Sequence, residues 1–287
     1  MTTENPESQN LISNALRDIL ESGAKAILVT LINAPGIESS DSTVGSKLII
    51  KESGERAGSL GNSTLEETVA RHAEAFLRGR DEARLLNVEE FASESEEFAP
   101  EILALRGISV LLERIEPEPR LIICGAGHVG ASLARFATLT GYRVTLIDDR
   151  AEFVSRELFS GQSENNVELV LADDWSEATG AAIGNGRGVS VAIVTRGHKQ
   201  DEDCLRAVIA AAPHYIGMIG SKRRTNFVLD KLRAEGAPEN ELKKVRAPIG
   251  LDIGAVSPEE VALAILAEVV AQRRGGSGAP LSSWRRR

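Results

Sequence analysis

Apolar runs of strand type alternate with helix-type spacing through the second half of the chain. The run "RLIIC" precedes a cluster of glycines, "ASLARFATLTG" follows with helical spacing and ends at Gly141, and "RVTLIDDR" is a second apolar run. Further strand-type runs occupy residues 167–173, 189–195 and 215–220. This alternation predicts a parallel sheet covered by helices on both faces.

The last strongly periodic segment, "SPEEVALAILAEVVAQRR", predicts a helix with well-defined signals at its start. Ser257 is the expected N-cap, Pro258 occupies the first turn, and Glu260 completes a capping box. The preceding "APIGLDIGA" is apolar, with glycines on either side of Asp252. Such a loop is typical of close approach to a ligand or to a second copy of the chain, and a tight packing turn is the alternative.

Prolines interrupt the pattern near the middle of the chain and mark a domain boundary. The stretch "PEPR" cannot continue a helix or a central strand, and a length of 287 residues favours two domains. The predicted division is a first domain at 1–116, a linker at 117–120, a Rossmann-like domain at 121–274 and a flexible Gly/Ser/Pro tail at 275–287. The acidic "FASESEEF", residues 91–98, is expected to be a loop of the first domain.

Composition and charge narrow the function class. A net charge of −9 argues against nucleic-acid binding, which needs clustered Lys and Arg. No apolar run is long enough to cross a bilayer, and "MTTENPESQN" lacks the features of a secretory signal, so we expect a cytoplasmic protein that binds neither nucleic acid nor membrane. Two cysteines are too few for a disulfide framework or a cysteine zinc site, and no metal site is predicted.

The stretch "CGAGHVG" contains the spacing of a dinucleotide-binding turn. Gly125 permits a tight turn, Gly127 lets backbone N–H groups approach a pyrophosphate, and Gly130 lets the helix pack closely on the strand. Asp148, at the end of the second strand, would accept a hydrogen bond from a ribose 2′-hydroxyl. It favours NAD(H) or a related dinucleotide over NADP(H), although Arg150 weakens that inference. The alternative is that the glycines serve backbone geometry alone.

Two loops follow the carboxyl ends of later strands, where ligands lie in such sheets. The first, "RGHKQDEDCL", carries His198 and Asp201, which could act as acid, base or metal ligands. The alternative is that Asp201 caps the next helix and His198 orders the loop.

Further candidates come from the glycine turn and from the second loop, "SKRR". His128 could face a ligand or be a surface histidine. Ser221, Lys222, Arg223 and Arg224 could receive an anionic ligand or form an ordinary solvated helix start.

Both cysteines are expected in the core. Cys204 lies on a helix whose apolar positions point inward, which predicts a small buried thiol. Cys124 ends the first strand beside the glycine turn, so a reactive role stays open.

Four motifs in this order, "GAGHVG", "TRGHKQDEDCL", "YIGMIGSKRR" and "APIGLDIGAVSPEEVALAILAEVVAQR", resemble the XdhC/CoxI family of xanthine dehydrogenase accessory proteins over residues 121–274. The first domain resembles it more loosely, through "AILVTLINAPG", "VGSKLIIKESGERAGSLG" and "LEETVARHAEAFL". The resemblance implies an α/β protein in which a smaller α+β domain precedes a doubly wound, Rossmann-like domain.

The resemblance also implies a function. Family members bind the molybdenum cofactor (molybdopterin), protect it while a cysteine desulfurase installs its terminal sulfur, and deliver it to a molybdenum hydroxylase apo-enzyme, often as homodimers. A non-catalytic carrier is therefore expected rather than an enzyme. The alternatives are an NAD-dependent oxidoreductase that uses His198 and Asp201, and a dinucleotide-binding sensor.

One segment departs from the family pattern. Where many relatives read "GSVSGGCVE", this chain reads "GSLGNSTLEE" at residues 58–67, so the thiol position holds a polar residue. Since a thiolate is the natural soft ligand near molybdenum, its absence argues against direct metal or sulfur handling.

The Gly58 and Gly61 loop within that segment has two interpretations. Its backbone N–H groups could cradle a phosphate or pterin. Alternatively, Ser63 or Thr64 caps the following helix, with Glu66 or Glu67 completing a capping box.

Overall fold

The computed structural model describes residues 6–35, 43–79, 81–88, 105–155 and 166–282. The chain divides into two compact units, Met1–Pro117 and Glu118–Arg287. The acidic stretch 91–98, expected to be a loop, lies outside the described residues, as do residues 283–287 of the expected tail.

The first unit combines an antiparallel sheet with helices. Its strands are β1 Ala26–Asn33, β2 Lys47–Lys51, β3 Arg56–Gly58, β4 Ala83–Asn87 and β5 Ser109–Ile115. Its described helices are α1 Pro6–Ser22 and α2 Ser63–Arg78. The sheet order is β3-β2-β1-β5-β4, with every neighbouring pair antiparallel.

Alternation along the strands gives this sheet a buried face. Ile27, Val29 and Leu31 of β1 are fully buried in a cluster that includes Leu65 and Val69 of α2. Since Leu65 and Val69 are four residues apart, they lie on one side of α2 and cover the sheet.

The second unit is a parallel sheet whose strands alternate with helices. Its strands are β6 Arg120–Cys124, β7 Arg143–Asp148, β8 Val167–Leu171, β9 Val189–Ile193, β10 Tyr215–Met218 and β11 Val245–Arg246. Its helices are α3 His128–Leu139, α4 Trp175–Ile183, α5 His198–Ala211, α6 Lys222–Ala234, α7 Glu239–Leu242 and α8 Pro258–Arg274, with a 3-10 turn at Ala151–Phe153.

The strand order, β11-β10-β9-β6-β7-β8, is that of a dinucleotide-binding fold. Strand β6 comes first in this unit and lies centrally, between β7 and β9, so the winding of the sheet reverses beside it. Two apolar clusters cover the sheet, one including α3 and α8 residues and the other α5 and α6 residues. The predicted α/β fold, with a Rossmann domain after an α+β unit, is confirmed.

Strand ends differ slightly from the predicted ones. The runs at 167–173, 189–195 and 215–220 each leave the sheet two residues early, at Leu171, Ile193 and Met218. Their last residues turn instead into the loops at the carboxyl edge of the sheet. The predicted start of α8 is confirmed, since Ser257 and Glu260 form the capping box.

None of the helices in the described parts of the chain has the length and apolar character needed to span a bilayer.

Candidate functional site

Two glycines of the turn between β6 and α3 are required by packing. Gly125 has φ +113°, and a Cβ there would lie 2.6 Å from the Val194 carbonyl oxygen. A Cβ on Gly130 would lie 1.8 Å from the carbonyl oxygen of Gly125. Any larger residue at either position would therefore displace backbone, as the fingerprint predicts.

Gly127 is different, because the space where its side chain would lie is open. Its φ of −62° is accessible to any residue, and a Cβ would meet no described atom within 4 Å. Gly127 is also the N-cap of α3, a helix of 12 residues, and makes no side-chain cap hydrogen bond. The positive end of α3 is thus open to an approaching anion.

A cleft lies beside this turn, at the carboxyl ends of β6, β7, β8 and β9. It is a small cleft of about 80 Å³ that opens to solvent. Its lining residues are Gly125, Gly127, Asp148, Asp149, Arg150, Trp175, Val194, Thr195, Arg196 and Gln200. Ligands of doubly wound sheets bind at this position, the switch point of the strand order.

Asp148 lies at this cleft, but its carboxylate is already engaged. Ala126 N donates to Oδ2 at 2.7 Å, and Arg150 donates from Nε to Oδ1 at 2.8 Å and from Nη2 to Oδ2 at 2.9 Å. The Arg150 N–H adds a fourth bond, to Oδ1 at 3.1 Å. Burial alone would raise the pKa of Asp148, but the hydrogen bonds and charge of Arg150 together with the Ala126 N–H hold it below its ordinary value.

This arrangement changes the expected role of Asp148. Its four lone-pair positions are used within the protein, so the ribose-acceptor role has no free acceptor and no longer favours NAD(H) over NADP(H). Arg150 lies over the ring of Phe153, 3.8 Å from its centroid, which fixes the guanidinium at the cleft wall.

Sequence reasoning missed three residues that line the cleft: Trp175, Arg196 and Gln200. Trp175 follows β8 within four residues, and Arg196 follows β9 within three. The rule that ligands lie at the carboxyl ends of parallel strands selected the loop that contains Arg196 and Gln200, but His198 and Asp201 were chosen from it, and the rule was not applied to the end of β8. Asp149, also in the cleft, meets Arg196 at 3.5 Å and Arg150 at 3.7 Å.

His198 and Asp201 do not form an exposed acid–base pair. His198 is exposed at the start of α5, whereas Asp201 is fully buried. Thr195 Oγ1 donates to Asp201 Oδ1 at 2.5 Å, and Arg224 forms an ion pair with Oδ2. Burial raises the pKa of Asp201 despite these partners. The capping alternative for Asp201 is wrong, because Gly197 is the N-cap of α5.

The remaining candidates of the second unit are not among the residues that line the cleft. His128 is exposed in the first turn of α3, and Asp252 is exposed in its loop. Ser221 caps α6 by accepting from Arg224 N at 3.3 Å, and Lys222 and Arg223 are exposed. Arg224 differs from Lys222 and Arg223, since it is half-buried and forms an ion pair with Asp201.

In the first unit, the loop between β3 and α2 uses its N–H groups internally. Ser59 N donates to Lys47 O at 3.0 Å, and Gly61 N donates to Ser59 Oγ at 2.9 Å. Glu66 Oε1 accepts from Leu60 N at 2.7 Å and from Ser59 Oγ at 2.6 Å. The backbone N–H groups of Ser59, Leu60 and Gly61, which a phosphate cradle would need, are therefore bonded within the protein.

The prediction that Ser63 or Thr64 caps α2 is wrong. Asn62 is the N-cap of α2 and accepts from Leu65 N at 2.9 Å, so Ser63 begins the helix and Thr64 follows it. Gly58 and Gly61 have φ of +88° and +78°, which explains both glycines by backbone conformation.

Both cysteines are fully buried and free, as predicted for the core. Thr179 Oγ1 lies 3.5 Å from Cys124 Sγ and 3.6 Å from Cys204 Sγ. Burial raises the pKa of Cys204. Neither thiol is placed to react with a ligand in the cleft, and the described residues contain no cluster of three or more His, Cys, Asp or Glu suited to a metal ion.

Two family descriptions match the chain. "XdhC Rossmann domain" matches residues 121–269, and "XdhC and CoxI family" matches residues 19–89. These matches cover most of the second unit, including the cleft, and most of the described first unit.

Similar proteins occur in two bacteria. "Uncharacterized protein YqeB" of Escherichia coli (strain K12) is 30% identical over 171 residues, 60% of this chain and 30% of its own length. A protein of Bacillus subtilis (strain 168), named as a probable subunit of xanthine dehydrogenase, is 29% identical over 169 residues, 58% of this chain and 46% of its own length. The chain thus spans less than half the length of either protein.

A third relative matches over most of both chains. "Molybdenum cofactor insertion chaperone PaoD" of Escherichia coli (strain K12) is 24% identical over 281 residues, 89% of this chain and 86% of its own length.

Proposed function

The chain belongs to the XdhC and CoxI family, and on that premise we propose that it is a maturation factor that binds the molybdenum cofactor and assists its sulfuration and insertion into a molybdenum hydroxylase of the xanthine dehydrogenase type. Two relatives support this role by name, one as a molybdenum cofactor insertion chaperone and the other as a probable component of xanthine dehydrogenase.

The observation that carries the proposal is the open approach to Gly127. Molybdopterin carries a phosphate, and a phosphate needs N–H donors at a site where the backbone can be approached closely. Gly127 offers both: it caps α3 without a side chain, and a Cβ there would meet no described atom within 4 Å. Gly125 and Gly130 are explained by packing, whereas no described contact requires a glycine at position 127, and the space beside it leaves the backbone open to a ligand.

The other residues of the cleft fit a phosphate-bearing heterocycle. Asp148 and Arg150 lock one wall through a bidentate pair, and Arg196 has a side chain 58% exposed at the rim. Trp175 adds a flat apolar surface. In our proposal α3 holds the phosphate, and these side chains orient the rest of the cofactor and limit water access.

The metal end of the cofactor finds no equivalent set of ligands among the described residues. Cys124 and Cys204 are fully buried, and the segment 58–67, which in many family members contains a cysteine, has none in this chain. We therefore assign the chain to holding and protecting the cofactor, with sulfur supplied by a partner cysteine desulfurase. When bound, the cofactor would supply the molybdenum centre that the client enzyme requires.

The proposal includes the apo-hydroxylase as client, a cytoplasmic location and a homodimer. An oxidoreductase is less well supported, since Asp201 is fully buried and paired with Arg224, whereas His198 is exposed.

Complementation of a strain that lacks the chain tests this function. We expect its molybdenum hydroxylase to be inactive and low in cyanide-labile sulfur, and wild-type chain or Gly180→Ala to restore both. Gly127→Ala should fail to do so. Gly180→Ala is the matched control because its Cβ would meet only Ala207 Cβ, at 3.9 Å. A fully active, fully sulfurated hydroxylase without the chain would refute the proposal.

A further inference from the structure

Four exposed residues in the first two turns of α5 and α6 make up a surface that we call the docking patch: Lys199, Lys222, Arg223 and Phe227. We propose that the docking patch binds an acidic segment of the recipient hydroxylase that also carries an apolar side chain. This inference rests on the proposed function only in naming the recipient of the cofactor. The residues that line the cleft do not include any of the four.

The fold brings the starts of α5 and α6 together. Strands β9 and β10 are parallel neighbours, and the two helices follow their carboxyl ends. Arg224 in the first turn of α6 forms an ion pair with Asp201 in the first turn of α5. Lys199 lies two residues before Asp201, and the other two cations of the docking patch directly precede Arg224. All three cations therefore belong to one edge of the second unit.

The charges of these three cations are not neutralised by the described residues. None of the three side chains makes an ion pair or a hydrogen bond within the part of the chain that the structure describes. The nearest acidic residues of α5 already have partners, since Asp201 pairs with Arg224, and Glu202 pairs with Arg206 and Lys231. In a chain of net charge −9, the docking patch is thus a local positive surface that attracts an acidic group.

Phe227 adds an apolar contact to this charge. It is 64% exposed and lies four residues after Arg223, so the two side chains share the outer face of α6. Thr225, Val228 and Leu232 occupy the buried face of the same helix. An exposed aromatic residue beside an arginine is the composition of the residues that dominate binding at protein interfaces.

The charge of the whole chain favours a protein as the partner. A nucleic acid or an anionic membrane carries negative charge over a large area, and a net charge of −9 opposes its approach. An acidic peptide segment needs only local complementarity, which three cations and one aromatic ring supply.

The position of the docking patch indicates which protein binds there. Arg196 and Gln200 line the cleft, and Lys199 directly precedes Gln200 in the first turn of α5. A protein bound at the docking patch would therefore lie beside the opening through which a cofactor leaves the cleft. The protein that receives the cofactor is the one that needs this position.

The test measures binding of the full-length chain to purified apo-hydroxylase, made in a strain that lacks the chain. We would compare wild type with the double variant Lys222→Gln, Arg223→Gln and with Phe227→Ala by biolayer interferometry at low and high salt. The matched controls are Arg56→Gln with Lys243→Gln, which removes two exposed cations elsewhere, and Leu139→Ala, which truncates a side chain that is 77% exposed. Urea denaturation of each variant checks that it is folded.

We expect the double variant and Phe227→Ala each to bind the apo-hydroxylase about tenfold more weakly than wild type, and both controls to bind as wild type does. Added salt should weaken the binding of wild type more than that of the double variant, because the double variant has lost two of the steering charges. Phe227→Ala should keep the wild-type cofactor content, since its side chain does not line the cleft.

Equal affinity of wild type and both patch variants for the apo-hydroxylase would overturn the docking patch, as would a wild-type chain that does not bind it. Loss of binding to phosphatidylglycerol vesicles in the patch variants, with hydroxylase affinity unchanged, would assign the surface to a membrane and overturn it as well. A chain that retains no cofactor, but binds the hydroxylase through the docking patch, would remove the proposed function and leave the docking patch standing.

Discussion

At the scale of single residues, the three glycines of the turn between β6 and α3 have two different roles. Two are required by packing, and the third leaves the backbone accessible to a ligand. Gly125 and Gly130 have backbone oxygens within 2.6 and 1.8 Å of where a Cβ would be, whereas Gly127 has none within 4 Å. The spacing of the three glycines predicts the turn, but it does not predict which of them is needed for packing. That depends on contacts between separate segments of the chain, such as Gly125 with Val194.

Alanine substitutions should therefore differ sharply within this turn. Gly130→Ala should destabilise the protein by about 2–3 kcal/mol, since backbone must move to admit the methyl group. Gly127→Ala should change the free energy of unfolding by less than about 0.5 kcal/mol. Urea denaturation of both variants measures this difference, and equal destabilisation would show that Gly127 is a packing glycine too.

The two buried aspartates of the second unit should have opposite pH dependence. The pKa of Asp148 is lowered from its ordinary value of 3.8, so its contribution to stability is present above pH 3.8 and is lost as pH falls through the folded pKa. The pKa of Asp201 is raised from 3.8, so its contribution is present below pH 3.8 and is lost as pH rises through the folded pKa.

Asparagine variants test that contrast. We expect the stability difference between wild type and Asp148→Asn to shrink as pH falls below about 3.8, and the difference between wild type and Asp201→Asn to shrink as pH rises above it. Urea unfolding from pH 3 to pH 7 measures both. The same sign for both variants would contradict the assigned environments.

The sequence predicted some residues of the site, and the others could not be predicted because their positions depend on three-dimensional packing. Asp148 follows from spacing, but its bidentate pairing with Arg150 depends on a side-chain conformation that no spacing specifies. Trp175 carries no motif, and it lines the cleft because the parallel sheet brings the carboxyl end of β8 to the same edge as the glycine turn.

At the scale of elements, the start of α8 was predicted correctly, whereas the N-cap of α2 was not. The α8 capping box involves neighbours in sequence, Ser257 and Glu260, and was predicted. Glu66 instead reaches back across the helix start to Ser59 and Leu60, six to seven residues away, and so escaped the capping-box pattern.

That contact gives a prediction about the loop between β3 and α2. Glu66→Ala should cost about 1.5–3 kcal/mol, because it removes charged acceptors from the N–H of buried Leu60 and the hydroxyl of Ser59. Glu67→Ala, one residue along on the exposed side, is the control and should cost under about 0.5 kcal/mol. Similar losses in urea denaturation for the two variants would mean that Glu66 does not hold the loop.

At the scale of the whole molecule, alternating runs predict a parallel sheet but not which strand is central. The order β11-β10-β9-β6-β7-β8 puts the glycine turn beside the point where winding reverses. Residues from four separate strand ends thereby meet in one cleft, which no local pattern contains.

The central claim, that this cleft holds the molybdenum cofactor through the open approach at Gly127, is tested most directly by the cofactor content of the purified protein. We would measure molybdenum and oxidised pterin in full-length wild type, Gly127→Ala and Gly180→Ala, each purified from cells that make the cofactor. Wild type and Gly180→Ala should retain both, and Gly127→Ala should retain at least about tenfold less, a loss of about 1.4 kcal/mol in binding. Equal cofactor content in Gly127→Ala and wild type would contradict the account.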